Sequence, residues 1–563
     1  MKRWLIVFIL VTISVCVLKI LVPEEVPAST TFVSKIDRNL QAAWKEKNIQ
    51  AAPLSSDEEF LRRIYLDLTG RIPTSDEARS FLKSNDPNKR TRLIDHLLNS
   101  DEYAEYFASQ WTNLFLGHER TRYVDRNAFQ DWFQDQFKQN IPWNKVASSL
   151  IDVRGSLGET PQLNWFAKQK LDAANLADDT ARFFLGVQLG CARCHNHPHD
   201  NWKLEDFYGL AAFYDGLERD KLSFTEKMKF RSAKKEREEM KEMFKGDAKK
   251  MLEDPKTRNE IRSRVKNSLE EVRDIVRIVQ DPDGSIDAEI QGQHKTYPAK
   301  FLMDPAPAHL SERPLKQLAA WITSPDNPYF AKAFVNRVWA MMMGKGFVNP
   351  VDDMSPLNST SLPELLDELS DEFVQRNYDV RWLLSTIANS NAYQLSSQSA
   401  ETIDARLYES GKLQLLNADQ LLNSMSAATS IDKTFKLKSR NEYEERKEMI
   451  YRYYVFLFQN DDNQGNQQEF QGTIPQALFL MNGKATNEAI RPLPSNTTTR
   501  ILSKLDQPEA RIEELVLGTL SRMPTPDEMT KLTAYVAEKD NRAEAYEDVL
   551  WSLMNSHEFL FNH

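Results

Sequence analysis

Two thiols and an imidazole are crowded into the run Gly190-Cys191-Ala192-Arg193-Cys194-His195-Asn196-His197-Pro198-His199-Asp200. A Cys-x-x-Cys-His spacing is what covalent attachment of a c-type haem requires. Each thiol adds to one vinyl group, and the adjoining imidazole is held beneath the iron as proximal ligand. On this reading Cys191 and Cys194 are the thioether anchors and His195 is the iron ligand. The same stretch admits two other chemistries. Cys191, Cys194, His197 and His199 could converge on a structural zinc ion. The two thiols could also form a dithiol/disulfide couple, although the βαβ context of thioredoxin-like motifs is missing. Haem ranks first and zinc second.

If haem is attached, His197 and His199 lie too near His195 to reach the opposite face of the same iron. A sixth ligand would come from elsewhere, the candidates being His118, His309, Met303 and Met341-Met342-Met343, none of which is singled out. An open sixth position would favour small-ligand chemistry over simple electron transfer. Other constellations are weaker. There is no Gly-rich phosphate loop, G-x-S-x-G elbow or H-E-x-x-H. Asp352-Asp353 and Glu364 could pair as acid and base, but carboxylates at helix starts are more simply caps. Asn460-Asp461-Asp462-Asn463-Gln464-Gly465 has Gln464, and later Gln471, where a calcium loop wants acidic or Asn ligands, and reads as a polar turn. No catalytic residue is assigned, and whether the chain is an enzyme stays open.

Compartment decides what bare thiols do. Lys2-Arg3, an apolar run from Trp4 to Leu18, Lys19 and an apolar tail to Val22 form an export signal, with small residues for cleavage in Val26-Pro27-Ala28. Uncleaved, residues 4–22 would be a membrane anchor of marginal length, the only membrane contact expected. The chain is therefore expected to be periplasmic or secreted. Cys16 lies in this run behind Val15, too bulky for a lipoprotein signal, so a cleaved chain keeps only Cys191 and Cys194 and has no disulfide framework. In an oxidising compartment such a pair closes on itself unless haem or metal occupies the thiols.

The elements that must position the motif are helical. The chain has 563 residues, 41% of them hydrophobic, enough for several domains with real cores, and its net charge of −10 argues against a nucleic-acid partner. Phe60, Leu61, Ile64, Leu66 and Leu68 recur at helical spacing before Arg71-Ile72-Pro73-Thr74-Ser75-Asp76-Glu77, where Thr74 and Glu77 make a capping box. The device returns as Arg522-Met523-Pro524-Thr525-Pro526-Asp527-Glu528 after Leu515, Val516, Leu517 and Leu520. Leu98-Asn99-Ser100-Asp101-Glu102-Tyr103 and Met554-Asn555-Ser556-His557-Glu558-Phe559 close the two copies of an internal repeat whose role is structural. A helix over 173–190 delivers the chain to Cys191, and another runs from Trp202 through Phe213. Mixed charges fill 218–280 as a solvated helical insertion. Asp281-Pro282-Asp283-Gly284 then turns into a hairpin through Ile286, Ala288 and Ile290. Helices resume from Arg313, at 362–376, 380–390 and 417–429. The expected fold is mainly α: two helical domains joined by a charged helical insertion and a small β-hairpin. The segments are 1–28 (signal peptide or anchor), 32–217 (helical domain with the motif), 218–312 (insertion and hairpin) and 313–563 (C-terminal helical domain).

Several long strings carry a resemblance. Leu66-Asp67-Leu68-Thr69-Gly70-Arg71-Ile72-Pro73-Thr74, Leu185-Gly186-Val187-Gln188 ahead of the cysteine run, and Leu210-Ala211-Ala212-Phe213 resemble the cytochrome-like N-terminal domain of unknown function of planctomycete-type secreted proteins. Leu318-Ala319-Ala320-Trp321-Ile322-Thr323-Ser324-Pro325, Val335-Asn336-Arg337-Val338-Trp339, Pro363-Glu364-Leu365-Leu366 and the closing Asn555 to His563 resemble its companion C-terminal domain of unknown function. The likeness covers most of the mature chain. This family tends to be encoded beside secreted sulfatase-like proteins, which implies a link to breakdown of sulfated polysaccharide and a sulfatase-like or redox partner. Leu362 stands where the family pattern has a His, and Asn417 lies in a stretch often richer in arginine. The expectation is an exported mono-haem, c-type-cytochrome-like protein that transfers electrons or handles a small redox ligand. The competing class is a non-redox helical scaffold or carbohydrate-binding protein with zinc or a disulfide at the cysteines.

Overall fold

The computed structural model describes residues 28–219, 277–431 and 481–563, apart from loop positions 119–120, 122, 199, 281–283, 291, 305, 311–312, 356, 399–404 and 494–495, together with four single positions between 220 and 276. The export segment, nearly all of the charged insertion, the polar turn at 460–465 and His199 lie outside the described residues. What is described is mainly helical, with short strands in three small sheets. Among the described residues no helix is long and apolar enough to cross a membrane.

The expected hairpin is present as Ser285–Ile290 against Gln293–Pro298, with Ile286 opposite Tyr297 and Ala288 opposite Lys295. A second sheet was not foreseen. Arg277–Gln280 lies between Gly155–Ser156 and Leu217–Arg219, pairing Leu217 with Gln280 and Arg219 with Ile278. The described chain ending at Arg219 and resuming at Arg277 is thus joined in one sheet.

The larger core draws on residues from Phe32 to Tyr408 and on Leu517. At its centre Trp111 and Trp143 from the first half stack on Phe334 at 5.5 and 4.4 Å, and Phe334 stacks on Phe373 at 5.3 Å. Burying each such ring is worth about 1.5–3 kcal/mol. A second core gathers residues from Leu416 to Phe559 around Leu66 and Ile72.

The repeat is visible atom by atom. Helices Asp57–Thr69 and Pro508–Leu520 each end on a left-handed residue, Gly70 at φ 64° and Ser521 at φ 63°. Arg71 then makes a two-pronged bond to Glu77, whose carboxylate closes the capping box with Thr74, and Arg522 does the same with Glu528 and Thr525. The copies trade apolar side chains: Leu66 and Ile72 belong to the second core, and Leu517, the counterpart of Leu66, to the first.

One expected helix is shorter than read. Ala173–Thr180 continues through a wider turn, Ala181–Leu185, and stops at Gly186 (φ 65°) instead of reaching residue 190. A Cβ at Gly186 would press on Ala333 and Met354 at 3.2–3.3 Å, and the Gly186 carbonyl accepts from the Met354 amide at 2.8 Å. The later helices fall at Pro363–Gln375, Val380–Ala388 and Ala418–Thr429, close to their expected places.

Candidate cofactor-attachment site

After Gly186 the chain runs to a single 3₁₀ turn, Gly190–Arg193. Cys191 lies in this turn and Cys194 follows as its cap residue. Both cysteines are free and exposed, and Arg193 and His195 are exposed with them while Ala192 points into the core.

The turn is fastened on all sides. The Ala192 amide donates to the Leu189 carbonyl at 2.8 Å, and the Tyr208 hydroxyl donates to the Arg193 carbonyl at 2.9 Å. Arg193 reaches Asn175 Oδ1 at 3.0 Å. The following loop is closed by the His197 amide on the Trp202 carbonyl and by the Leu204 amide on Asn196 Oδ1. Leu204–Ala211, the next helix, starts two residues later than expected, with the Lys203 amide donating to Asp206. Next to it Tyr208 stacks on Tyr297 of the hairpin at 4.9 Å, and Lys295 sits over that ring.

His195 Nδ1 lies 2.7 Å from the Asn196 carbonyl. A carbonyl only accepts, so Nδ1 donates here, which leaves Nε2 as the ring nitrogen available to a metal. Two accessible thiols beside an imidazole in this form fit the donor set of an attached haem.

Carboxylates lie beneath the turn. A Cβ on Gly190 would stand 3.2 Å from Asp178 Oδ1, a buried oxygen with no hydrogen-bond partner, and burial raises the pKa of Asp178. Asp179 accepts from the Trp165 indole and the Gln169 amide, and burial pushes its pKa up to about 6. From the second half of the chain comes Asp352, only 2% exposed, which accepts Arg182 Nε at 2.9 Å and Gln188 Nε2 at 3.0 Å. Arg337 donates to the Arg182 carbonyl at 3.1 Å, and burial of its guanidinium draws its pKa down to about 10. Burial also raises Asp353, helped by Asp352 and Asp200 and opposed by His197.

The remaining candidates are dispersed. Among the described residues no three His, Cys, Asp or Glu side chains are gathered as a metal ion would need, and His199 of the zinc set lies outside them. His118 follows helix Asp101–Leu116, where burial together with Arg126 and Lys168 lowers its pKa to about 4. Met303 is exposed at φ 71°, His309 is exposed, and Met341–Met343 end helix Phe330–Met343. Asp352 is occupied by Arg182, whereas Glu364 stands exposed in the first turn of its helix, so these two do not form an acid/base pair. Leu362, the departure from the family pattern, precedes that helix in the left-handed region at φ 49°. Sequence reasoning missed Arg182, Gln188 and Arg337. The one available signal was a charged residue inside the apolar run Phe334 to Trp339.

The PSCyt2 profile, described as a protein of unknown function (DUF1549), matches residues 35–219, and the PSD1 profile, described as a protein of unknown function (DUF1553), matches residues 315–536. No curated protein and no solved structure matches the chain. The first profile contains the cysteine turn and the second contains Arg337 and Asp352, which bond to Arg182 and Gln188 ahead of it; the chain belongs to the family that pairs these N- and C-terminal domains of unknown function.

Proposed function

We propose that this protein is an exported, mono-haem, c-type-cytochrome-like protein, with Cys191 and Cys194 as the covalent anchors and His195 as the proximal ligand. The observation that carries this reading is the turn itself: two free, exposed thiols, one in the turn and one capping it, followed by an imidazole whose Nδ1 proton is held by a backbone carbonyl. A haem bound there would supply one-electron chemistry or a site for a small ligand at iron. The protein's part is to keep the thiols accessible, to fix the His195 tautomer through Asn196, and to hold the turn through Tyr208 and Asn175. Periplasmic or secreted location, or anchoring by residues 4–22, is supported by the N-terminal run. A sulfatase-like or redox partner in degradation of sulfated polysaccharide is supported by the family resemblance.

The test is an oxidised and dithionite-reduced absorption spectrum of the full chain exported from a host that matures c-type cytochromes, with haem staining of a denaturing gel. Covalently retained haem is the expected result. A colourless protein from such a host would overturn the reading and leave the non-redox scaffold or carbohydrate-binding class, with zinc or a disulfide at the cysteines.

A further inference from the structure

We infer that Asp352 is the positioning residue of the cysteine turn, supplied to the motif-bearing half of the chain by the other half. The inference rests on the haem reading for what the turn does, and on geometry for how the turn is held. The four residues from Gly186 to Leu189 lead from the preceding helical turn to Gly190 without regular structure of their own. They are held from the second half at two places. Gly186 accepts the Met354 amide at 2.8 Å. Gln188, three residues before Cys191, donates to Asp352 Oδ1 at 3.0 Å while Arg182, in the turn before Gly186, donates to Oδ2 at 2.9 Å.

One buried carboxylate therefore spans the break between helix and cysteine turn. Its charge is opposed by Arg182 and by Arg337, which also holds the Arg182 carbonyl. A buried carboxylate bonded to a guanidinium is strongly directional, and removing it takes from Arg182 its bonded carboxylate and from Arg337 the negative charge that offsets its burial. Asp352 touches no reacting atom. It acts through the backbone of 186–190, which sets where the thiols and His195 stand.

Hydrogen exchange of the full chain carrying free thiols, kept reduced, tests the geometry without haem. Asp352→Asn is expected to speed exchange of the 186–193 amides by about tenfold, the consequence of losing one charge-assisted bond, while helix Asp101–Leu116 exchanges as before. Asp352→Glu, which keeps the charge, is expected to restore slow exchange. Gln188→Met, which removes only the bond to the motif side, is expected to reproduce the effect and serves if Asp352→Asn does not fold. In haem-loaded protein Asp352→Asn is expected to raise the midpoint potential, because a buried negative charge favours the oxidised iron. Unchanged exchange at 186–193 in Gln188→Met and in folded Asp352→Asn, or no rescue by Asp352→Glu, would overturn the inference. If the wild-type chain exported from a host that matures c-type cytochromes carries no haem while the variants still show the exchange effect, the haem reading is overturned and the positioning role stands.

Discussion

The residues of the cysteine turn separate two properties that are usually entangled, reactivity and structural weight. Cys191 and Cys194 face solvent, whereas Asp179, earlier in the helix that leads toward them, is enclosed. Cys191→Ala is therefore expected to abolish covalent haem while shifting unfolding stability by no more than about 0.5 kcal/mol, as measured by urea titration of the unloaded chain. Asp179 behaves oppositely. Burial, opposed by the Trp165 and Gln169 bonds, raises its pKa to about 6 in the folded chain, so the folded state binds its proton more tightly than the unfolded one. Stability from this group is fully present below about pH 4 and is lost as pH rises through about 6, an effect of roughly 3 kcal/mol at full extent. Asp179→Asn is expected to flatten that fall between pH 4.5 and 7.5; an unchanged pH profile in denaturant titrations would contradict it. The motif was legible because its chemistry is local in sequence. Asp352 was legible only as a carboxylate, since its partners Arg182 and Gln188 lie more than 160 residues away.

Helix junctions carry the clearest regularity in the molecule. The capping boxes at Thr74 and Thr525 satisfy the same orphan amides, and each is backed by an arginine two-pronged on the box glutamate. Arg522 draws Glu528 down to about 2, but the pair is partly exposed, so solvent screening leaves it worth under about 1 kcal/mol. Thr74→Ala and Thr525→Ala are each expected to cost about 1 kcal/mol in urea unfolding; a cost at one junction and none at the other would show that the copies are not mechanically equivalent. These junctions could be read from sequence because a capping box is complete within four residues. The end of the helix before the motif could not, because Leu185, Val187 and Leu189 continue an apolar pattern across Gly186. The small sheet at 155–156, 217–219 and 277–280 escaped for another reason: strands of two to four residues have too few positions to show alternation.

Across the whole molecule the two halves matched by separate profiles are joined by buried charge as well as by rings. Asp67 accepts from the Tyr393 hydroxyl at 2.8 Å, Lys412 Nζ at 2.7 Å and Asn562 Nδ2 at 2.8 Å, tying the first half to the second and to the chain's last residues. Lys412→Met would leave that carboxylate without its cation and is expected to cost about 3–5 kcal/mol. The loss should appear as one transition, with tryptophan fluorescence and far-ultraviolet circular dichroism coinciding. Hydrophobic spacing predicted helices in both halves but not which core each side chain would enter; Leu66 and Leu517 have the same pattern and opposite destinations. We propose that this shared body supports one haem-bearing turn. Its most direct test is the absorption spectrum of the exported full chain, beside Cys191→Ala, from a host that matures c-type cytochromes. The account predicts a Soret band that shifts on reduction and haem that stays with the polypeptide on a denaturing gel, both absent in the variant. A wild-type chain that is folded, exported and colourless would contradict it.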